Sequence, residues 1–65
     1  MITLNGTQIS DFEGKTAEEL ILSKGYRTNL IAVEYNGEIL PKDKYSQTIL
    51  KENDCIEVVS FVGGG

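Results

Sequence analysis

The 65-residue sequence lacks most of the side chains on which enzyme chemistry depends. It has no histidine, so the residue that most often serves as general base and as metal ligand is missing. It also shows no phosphate-binding glycine loop, no metal-ligand cluster and no nucleophile–base pair. These absences predict a protein that is not an enzyme and that holds no metal or cofactor of its own.

Cysteine and long apolar runs are equally scarce. The single cysteine, Cys55, cannot form an intramolecular disulfide, which disfavours a secreted fold held by disulfides. No apolar run approaches the ~20 residues of a membrane-spanning helix, and the N-terminus lacks a signal-peptide pattern. We therefore expect a cytoplasmic protein with no membrane partner.

Basic residues are also few in this sequence. Six basic residues stand against ten acidic ones, giving a net charge of −4. The basic residues are scattered, so no cationic stripe is available to bind phosphates, and nucleic-acid binding is not expected. An acidic domain would instead be steered towards a basic protein surface.

What the sequence does contain is a regular succession of short structural signals. Met1 to Leu4 resembles a strand, and Asn5-Gly6 is a strong signal for a two-residue hairpin turn. Pairing across that turn places Leu4 opposite Thr7 and Ile2 opposite Ile9. The hairpin would put its apolar side chains on one face.

A short helix is predicted next. Thr16 and Glu19 have the spacing of a capping box, in which each side chain binds the backbone N–H of the other residue. Gly25 supplies a left-handed C-terminal cap. The apolar positions that follow helical spacing are Ala17, Leu20 and Ile21. So short a helix must lie on a sheet to be stable.

The second half of the chain predicts three more strands. Leu30 to Tyr35 and Glu38 to Leu40 flank a second Asn-Gly turn, and Cys55 to Val62 forms the last strand. Between them, Pro41 to Gln47 is predicted as a polar connection with one helical turn and Tyr45 packing inwards. The economical solution is an α+β domain over residues 1–62, a mixed sheet of four to five strands with one helix across it.

The last three residues form a separate segment. Glycine lacks Cβ, so Gly63, Gly64 and Gly65 are predicted to form a thin, flexible tail that reaches roughly 10 Å beyond the domain. Such a tail could carry a carboxylate into a narrow active site of a partner. The alternative is a frayed chain end or a linker remnant.

The strand before the tail carries a predicted docking surface. Strand alternation points Ile56 and Val58 inwards and places Val59 and Phe61 on the opposite face. Val59, Phe61 and Val62 are therefore the candidate docking residues, although alternation could also turn Val62 towards the core. The alternative for Val59 and Phe61 is that they pack beneath the crossover loop, which connects the strand ending at Leu40 to the last strand.

Four segments together resemble the sulfur carrier proteins of thiamin biosynthesis, the ThiS family. These segments are MITLNG at 1–6, TAEEL at 16–20, AVEYNGEILP at 32–41 and NDCIEVVSFVGGG at 53–65. The resemblance implies a ubiquitin-like β-grasp fold in which the last strand lies centrally, parallel to the first. Family members often have Gly-Asp at positions 53–54, and asparagine also tolerates the left-handed turn conformation.

The resemblance also implies a function and partners. A ThiF-like adenylating enzyme would use ATP and magnesium to activate the Gly65 carboxylate. A sulfur donor, such as a cysteine desulfurase, would then convert it to a thiocarboxylate, and a ThiG-like thiazole synthase would consume the sulfur. Gly63 and Gly64 would let the tail enter both enzymes, which supply the catalytic groups.

Three other functions remain open at this point. A carrier that forms the small subunit of molybdopterin synthase would share the fold, the tail and the activation chemistry. A ubiquitin-like modifier would use Gly65 in an isopeptide bond with lysine. A plain interaction module would leave the tail idle. Cys55 is interpreted as structural or incidental, because its neighbours Asp54 and Glu57 would not favour a thiolate.

Overall fold

The computed structural model describes residues 1–61, which form a five-stranded mixed sheet with one helix across it. The strands are β1 (Ile2–Leu4), β2 (Thr7–Ile9), β3 (Ile31–Tyr35), β4 (Glu38–Leu40) and β5 (Cys55–Ser60), and the helix is α1 (Ala17–Ser23). Their spatial order is β2-β1-β5-β3-β4. β5 is central and parallel to β1, and the other neighbouring strands are antiparallel. The α+β prediction is confirmed.

Both Asn-Gly pairs form the tight turns that the sequence predicts. Asn5 and Gly6 have φ angles of 50° and 83°, and Asn36 and Gly37 have φ angles of 52° and 89°. Two consecutive positive φ angles define the hairpin turn that matches strand twist, and they favour this residue pair. The register is also as predicted, with Ile2 opposite Ile9 and Leu4 opposite Thr7.

The helix is closed at both ends by its own sequence. At its start, the Thr16 hydroxyl accepts from the Glu19 N–H (3.1 Å) and the Glu19 carboxylate accepts from the Thr16 N–H (2.8 Å). At its end, Gly25 has a φ of 84°, and the Tyr26 N–H donates to the Ile21 carbonyl (3.2 Å). This is the left-handed cap expected of glycine. Within residues 1–61, no helix is long and apolar enough to cross a membrane.

The core lies between one face of the sheet and α1. It is built from the alternate positions of the strands and the apolar side of the helix, and its members are Ile2, Leu4, Ala17, Leu20, Ile21, Ile31, Val33, Tyr45, Leu50, Ile56 and Val58. Tyr45 packs inwards, as the sequence predicts, and it comes from a 3₁₀ turn at Lys42–Gln47 that lies against α1. The side chains at the centre of the opposite face, Glu34, Ile39, Glu57 and Val59, are exposed, so no element of residues 1–61 covers this face.

Two element boundaries differ from the prediction. Leu30 belongs to a short 3₁₀ turn, Thr28–Leu30, so β3 begins one residue later than expected. β5 ends at Ser60, although the Phe61 N–H still donates to the Leu30 carbonyl (2.7 Å). Val62 and the glycines lie outside the described residues, so the domain limit at residue 62 and the flexible tail at 63–65 stay predictions.

Candidate functional site

The candidate site lies at the end of the sheet where β5 finishes, which we call the tail end. β5 is longer than β1, and their pairing stops at Leu4 opposite Ile56. On its other side β5 pairs with β3 as far as Ser60 opposite Ile31. The last residues of β5 therefore lie at the centre of the sheet, and the three glycines follow them closely in the sequence.

Beyond the point where β1 ends, the side chain of Asn5 in the first hairpin turn binds the backbone of β5. Asn5 Oδ1 accepts from the Val58 N–H (2.8 Å), and Asn5 Nδ2 donates to the Val58 carbonyl (3.3 Å). The same amide nitrogen lies 3.3 Å from the Tyr26 hydroxyl. The Asn-Gly signal predicts the backbone turn but says nothing of this contact, so Asn5 is a positioning residue that sequence reasoning missed.

Two of the candidate docking residues, Val59 and Phe61, lie on the uncovered face of the sheet at the tail end. Val59 and Phe61 are 60% and 65% exposed, whereas Ile56 and Val58 are buried. The alternation predicted for β5 is therefore confirmed. The alternative packing of Val59 and Phe61 beneath the crossover between β4 and β5 is wrong, because both side chains are exposed and the crossover instead contributes Tyr45 to the core beside α1. Val62 lies outside the described residues.

The opposite end of β5, which we call the anchored end, holds a buried carboxylate. Asp54 is 5% exposed and accepts three hydrogen bonds. The donors are the Tyr35 hydroxyl (2.6 Å), the Lys51 N–H (2.8 Å) and Asn36 Nδ2 (3.1 Å). The sequence predicts only a turn here. Asn53 has a φ of 73°, so asparagine does adopt the left-handed conformation at this position.

This network shifts the pKa values of both partners. Burial of Asp54 opposes ionisation, but the hydrogen bonds from Tyr35, Lys51 and Asn36 outweigh it, so the pKa of Asp54 is lowered. Burial, together with the bond to the Asp54 carboxylate and its charge, raises the pKa of Tyr35 to about 12. The arrangement favours a charged Asp54 beside a neutral Tyr35, and it fixes the start of β5.

The remaining candidate groups do not form a reaction centre in the described part of the chain. Cys55 is a free, exposed thiol at the start of β5. Residues 1–61 contain no group of three potential metal ligands arranged to hold an ion. Gly63, Gly64 and Gly65, on which the predicted chemistry rests, lie outside the described residues.

Comparison with known proteins identifies the family. The model of the ThiS family matches residues 2–65 of this chain. The chain belongs to the ThiS family. ThiS proteins are small sulfur carriers of thiamin biosynthesis and are not enzymes. The match therefore agrees with the predicted carrier role and favours it over the molybdopterin carrier.

Individual relatives support the assignment. The sulfur carrier protein ThiS of Bacillus subtilis is 36% identical over 66 residues, which cover all of both chains. The crystal structure of a thiamine biosynthesis protein (ThiS) from Geobacter metallireducens superposes with a TM-score of 0.77 at 31% identity, covering 98% of this chain and 97% of that one.

A longer relative is a thiazole synthase from Magnetococcus marinus, which is 39% identical over 64 residues. That match covers 98% of this chain but spans only 20% of the length of the synthase.

Proposed function

We propose that this ThiS chain carries sulfur as a thiocarboxylate on Gly65 and delivers it to a thiazole synthase. The observation that carries the proposal is the central place of β5 in the sheet, since this strand is followed in the sequence by Gly63-Gly64-Gly65. The match to the ThiS family runs through these glycines to residue 65. No side chain there would obstruct entry into a narrow active site.

The first step activates the terminal carboxylate. A carboxylate resists nucleophilic attack because of its negative charge, so it needs a leaving group. An oxygen of the Gly65 carboxylate attacks the α-phosphorus of ATP on a ThiF-like adenylating enzyme, and pyrophosphate leaves. The enzyme supplies the magnesium ion and the cationic groups that stabilise the phosphates. The product is an acyl-adenylate.

The second step exchanges adenylate for sulfur. The outer sulfur of a persulfide, supplied by a cysteine desulfurase or a similar donor, attacks the acyl carbon and AMP leaves. The product is an acyl disulfide, and a second thiol then cleaves its S–S bond. That cleavage leaves the thiocarboxylate on Gly65 and a disulfide on the donor side. The tail contributes only its carboxylate, and the enzymes supply every catalytic group.

The last step delivers the sulfur to a ThiG-like thiazole synthase, and the tail returns as a carboxylate. The similarity to a region of a thiazole synthase supports this partner. Because the cycle consumes ATP, we also propose a cytoplasmic location.

The uncovered face at the tail end is the proposed docking surface for these enzymes. Exposed apolar side chains next to a reactive segment suit protein association. Val59 and Phe61 supply such side chains, and Val62 is the third proposed member. Docking there would hold the domain while the tail reaches roughly 10 Å into the partner.

Reconstitution of thiazole formation from purified enzymes tests the proposal. Deleting Gly65, or Gly64 and Gly65 together, withdraws the carboxylate by about 3.5 Å per residue and should abolish product formation, because reacting atoms tolerate little misplacement. Both variants should have the same melting temperature as the intact chain. Undiminished thiazole formation by the double deletion would overturn the proposal, since an idle tail would then be the better description.

A further inference from the structure

Two glutamates lie directly opposite each other at the centre of the uncovered face. Glu34 on β3 pairs with Glu57 on β5, and both side chains are exposed. Their sequence neighbours Val33, Ile56 and Val58 are buried, so strand alternation places both carboxylates on the uncovered side. Directly opposed residues in antiparallel strands have Cβ atoms about 5 Å apart.

This pair has no compensating cation in the described part of the chain. The ion pairs within residues 1–61 join the Met1 ammonium group to Glu13 (3.7 Å) and to Glu52, at the anchored end. Like charges directly opposite each other destabilise a sheet. The fold therefore does not gain from the Glu34–Glu57 pair.

Apolar side chains flank the two carboxylates on two sides, towards β4 and towards the tail end. Ile39 of β4 lies opposite Glu34 and is 67% exposed. On the side towards the tail, Ala32 lies opposite the exposed Val59, and Phe61 follows. A second copy of this chain would bring carboxylates against carboxylates and would itself carry a charge of −4. The chemistry of the face fits a partner with a cationic group set in an apolar surface.

We propose that Glu34 and Glu57 together receive an arginine or lysine side chain of the adenylating enzyme, with Ile39 and Val59 packing on either side. This inference rests on the proposed function. An enzyme that binds ATP carries cationic groups near its active site, and their field attracts an acidic carrier. The carboxylate pair is then an electrostatic guide that orients the domain and places the tail at the entrance of the active site.

The proposal predicts opposite effects on folding and on association. Replacing both residues, Glu34→Gln with Glu57→Gln, removes the repulsion between strands, so the melting temperature should stay equal or rise. The same double variant should associate with the adenylating enzyme about tenfold more slowly at low salt, because steering is lost. Its association rate should also depend less on salt than that of the unaltered chain.

A control of equal net charge separates the local pair from total charge. Glu18→Gln with Asp43→Asn also removes two negative charges, but from α1 and from the turn packed against it, on the other side of the sheet. This control should change the association rate by less than about threefold. Equal slowing in both double variants would overturn the proposal in favour of net charge alone.

The single variant Glu34→Lys gives a second, independent test. It converts the repulsive cross-strand pair into an attractive one, so the melting temperature should rise. Association with the adenylating enzyme should nevertheless fall at least as far as in the double glutamine variant. Unchanged association of this stable variant would overturn the inference.

The proposed function is checked separately by incubating the unaltered chain with the adenylating enzyme, ATP and a sulfur donor. Formation of thiocarboxylate on the unaltered chain, combined with unchanged association of Glu34→Lys, would refute the carboxylate guide alone. An unaltered chain that binds but is never modified would refute the proposed function instead.

Discussion

The two Asn-Gly turns have the same sequence and nearly the same backbone angles, yet they hold β5 in different ways. At the anchored end, Asn36 Oδ1 accepts from the Cys55 N–H (2.8 Å) and Asn36 Nδ2 donates to the Asp54 carboxylate. At the tail end, the Asn5 side chain binds the neutral backbone of Val58 and the Tyr26 hydroxyl. One turn joins a buried ionic network, and the other joins a neutral one.

This difference indicates that one end of β5 stabilises the fold and the other end is available for partner binding. Hydrogen bonds to an ionised group are roughly twice as strong as neutral ones, so the start of β5 is the more firmly held. The tail end has weaker bonds, and its side chains Val59 and Phe61 remain exposed. Stability is concentrated at the anchored end, and the other end is left available for partners.

Substitution of Asp54 should have the largest effect on folding. Asp54→Ala removes a buried carboxylate and leaves the Tyr35 hydroxyl and the Lys51 N–H without their acceptor. We expect a loss of about 3 kcal/mol in the free energy of unfolding, read from urea denaturation. The exposed control Asp43→Asn should stay within about 0.5 kcal/mol of the unaltered chain. A loss below that limit for Asp54→Ala would contradict the division between the two ends.

Matched glycine substitutions compare the two turns directly. Glycine keeps the positive φ of each turn, so Asn36→Gly and Asn5→Gly remove the side-chain bonds without breaking the hairpins. Asn36→Gly should cost about 2 kcal/mol and Asn5→Gly about 1 kcal/mol. Hydrogen exchange should accelerate at the Cys55 amide in the first variant and at the Val58 amide in the second. Equal costs would remove the distinction between ionic and neutral anchoring.

The network at the anchored end should make the protein less stable at both low and high pH. The pKa of Asp54 is lowered in the folded state. The ionised carboxylate therefore stabilises the fold above the unfolded-state pKa of about 3.9, and this stabilisation is lost as pH falls through the folded-state pKa. The pKa of Tyr35 is raised to about 12. The neutral hydroxyl therefore stabilises the fold fully below pH ~10, and this stabilisation is lost as pH rises through 12.

Denaturation midpoints measured across pH test both directions. Asp54→Asn should flatten the decline below pH ~4, and Tyr35→Phe should weaken the decline above pH ~10. Some alkaline decline should persist in Tyr35→Phe, because burial also raises the pKa of Tyr45. Curves parallel to that of the unaltered chain in both variants would show that the network does not control the titration.

Phe61→Asp should have the smallest effect on folding and a clear effect on partners. Because Phe61 is 65% exposed, its replacement should change the free energy of unfolding by less than about 0.5 kcal/mol. Affinity for the adenylating enzyme or the thiazole synthase should fall about tenfold, since a charge would enter an apolar contact. Isothermal calorimetry measures this, and unchanged affinity for both enzymes would remove Phe61 from the docking surface.

Local signals in the sequence predicted most of the elements. The Asn5-Gly6 and Asn36-Gly37 turns and the Thr16–Glu19 capping box depend on residues close together in the chain, and all three formed as expected. Alternation along β5 correctly separated buried Ile56 and Val58 from exposed Val59 and Phe61. These predictions succeed because backbone angles and strand alternation are local properties.

The contacts of Asn5, Asn36 and Asp54 could not be predicted in the same way. Asn5 and Val58 are 53 positions apart, and Tyr35 and Asp54 are 19 apart, so the sheet must assemble before these groups meet. The order of the strands likewise came from the family resemblance, because no local pattern places β5 between β1 and β3. The opposition of Glu34 and Glu57 follows from that order and from the register.

C-terminal peptide mass spectrometry is the decisive test of whether Gly65 carries sulfur. The chain is incubated with its adenylating enzyme, ATP and a persulfide donor, and a reaction without ATP serves as the control. We expect one oxygen to be replaced by sulfur, and we expect fragmentation to place this change on Gly65. A tail that stays unmodified while the enzyme demonstrably forms adenylate, or sulfur that is found on Cys55 instead, would show that Gly65 is not the sulfur carrier.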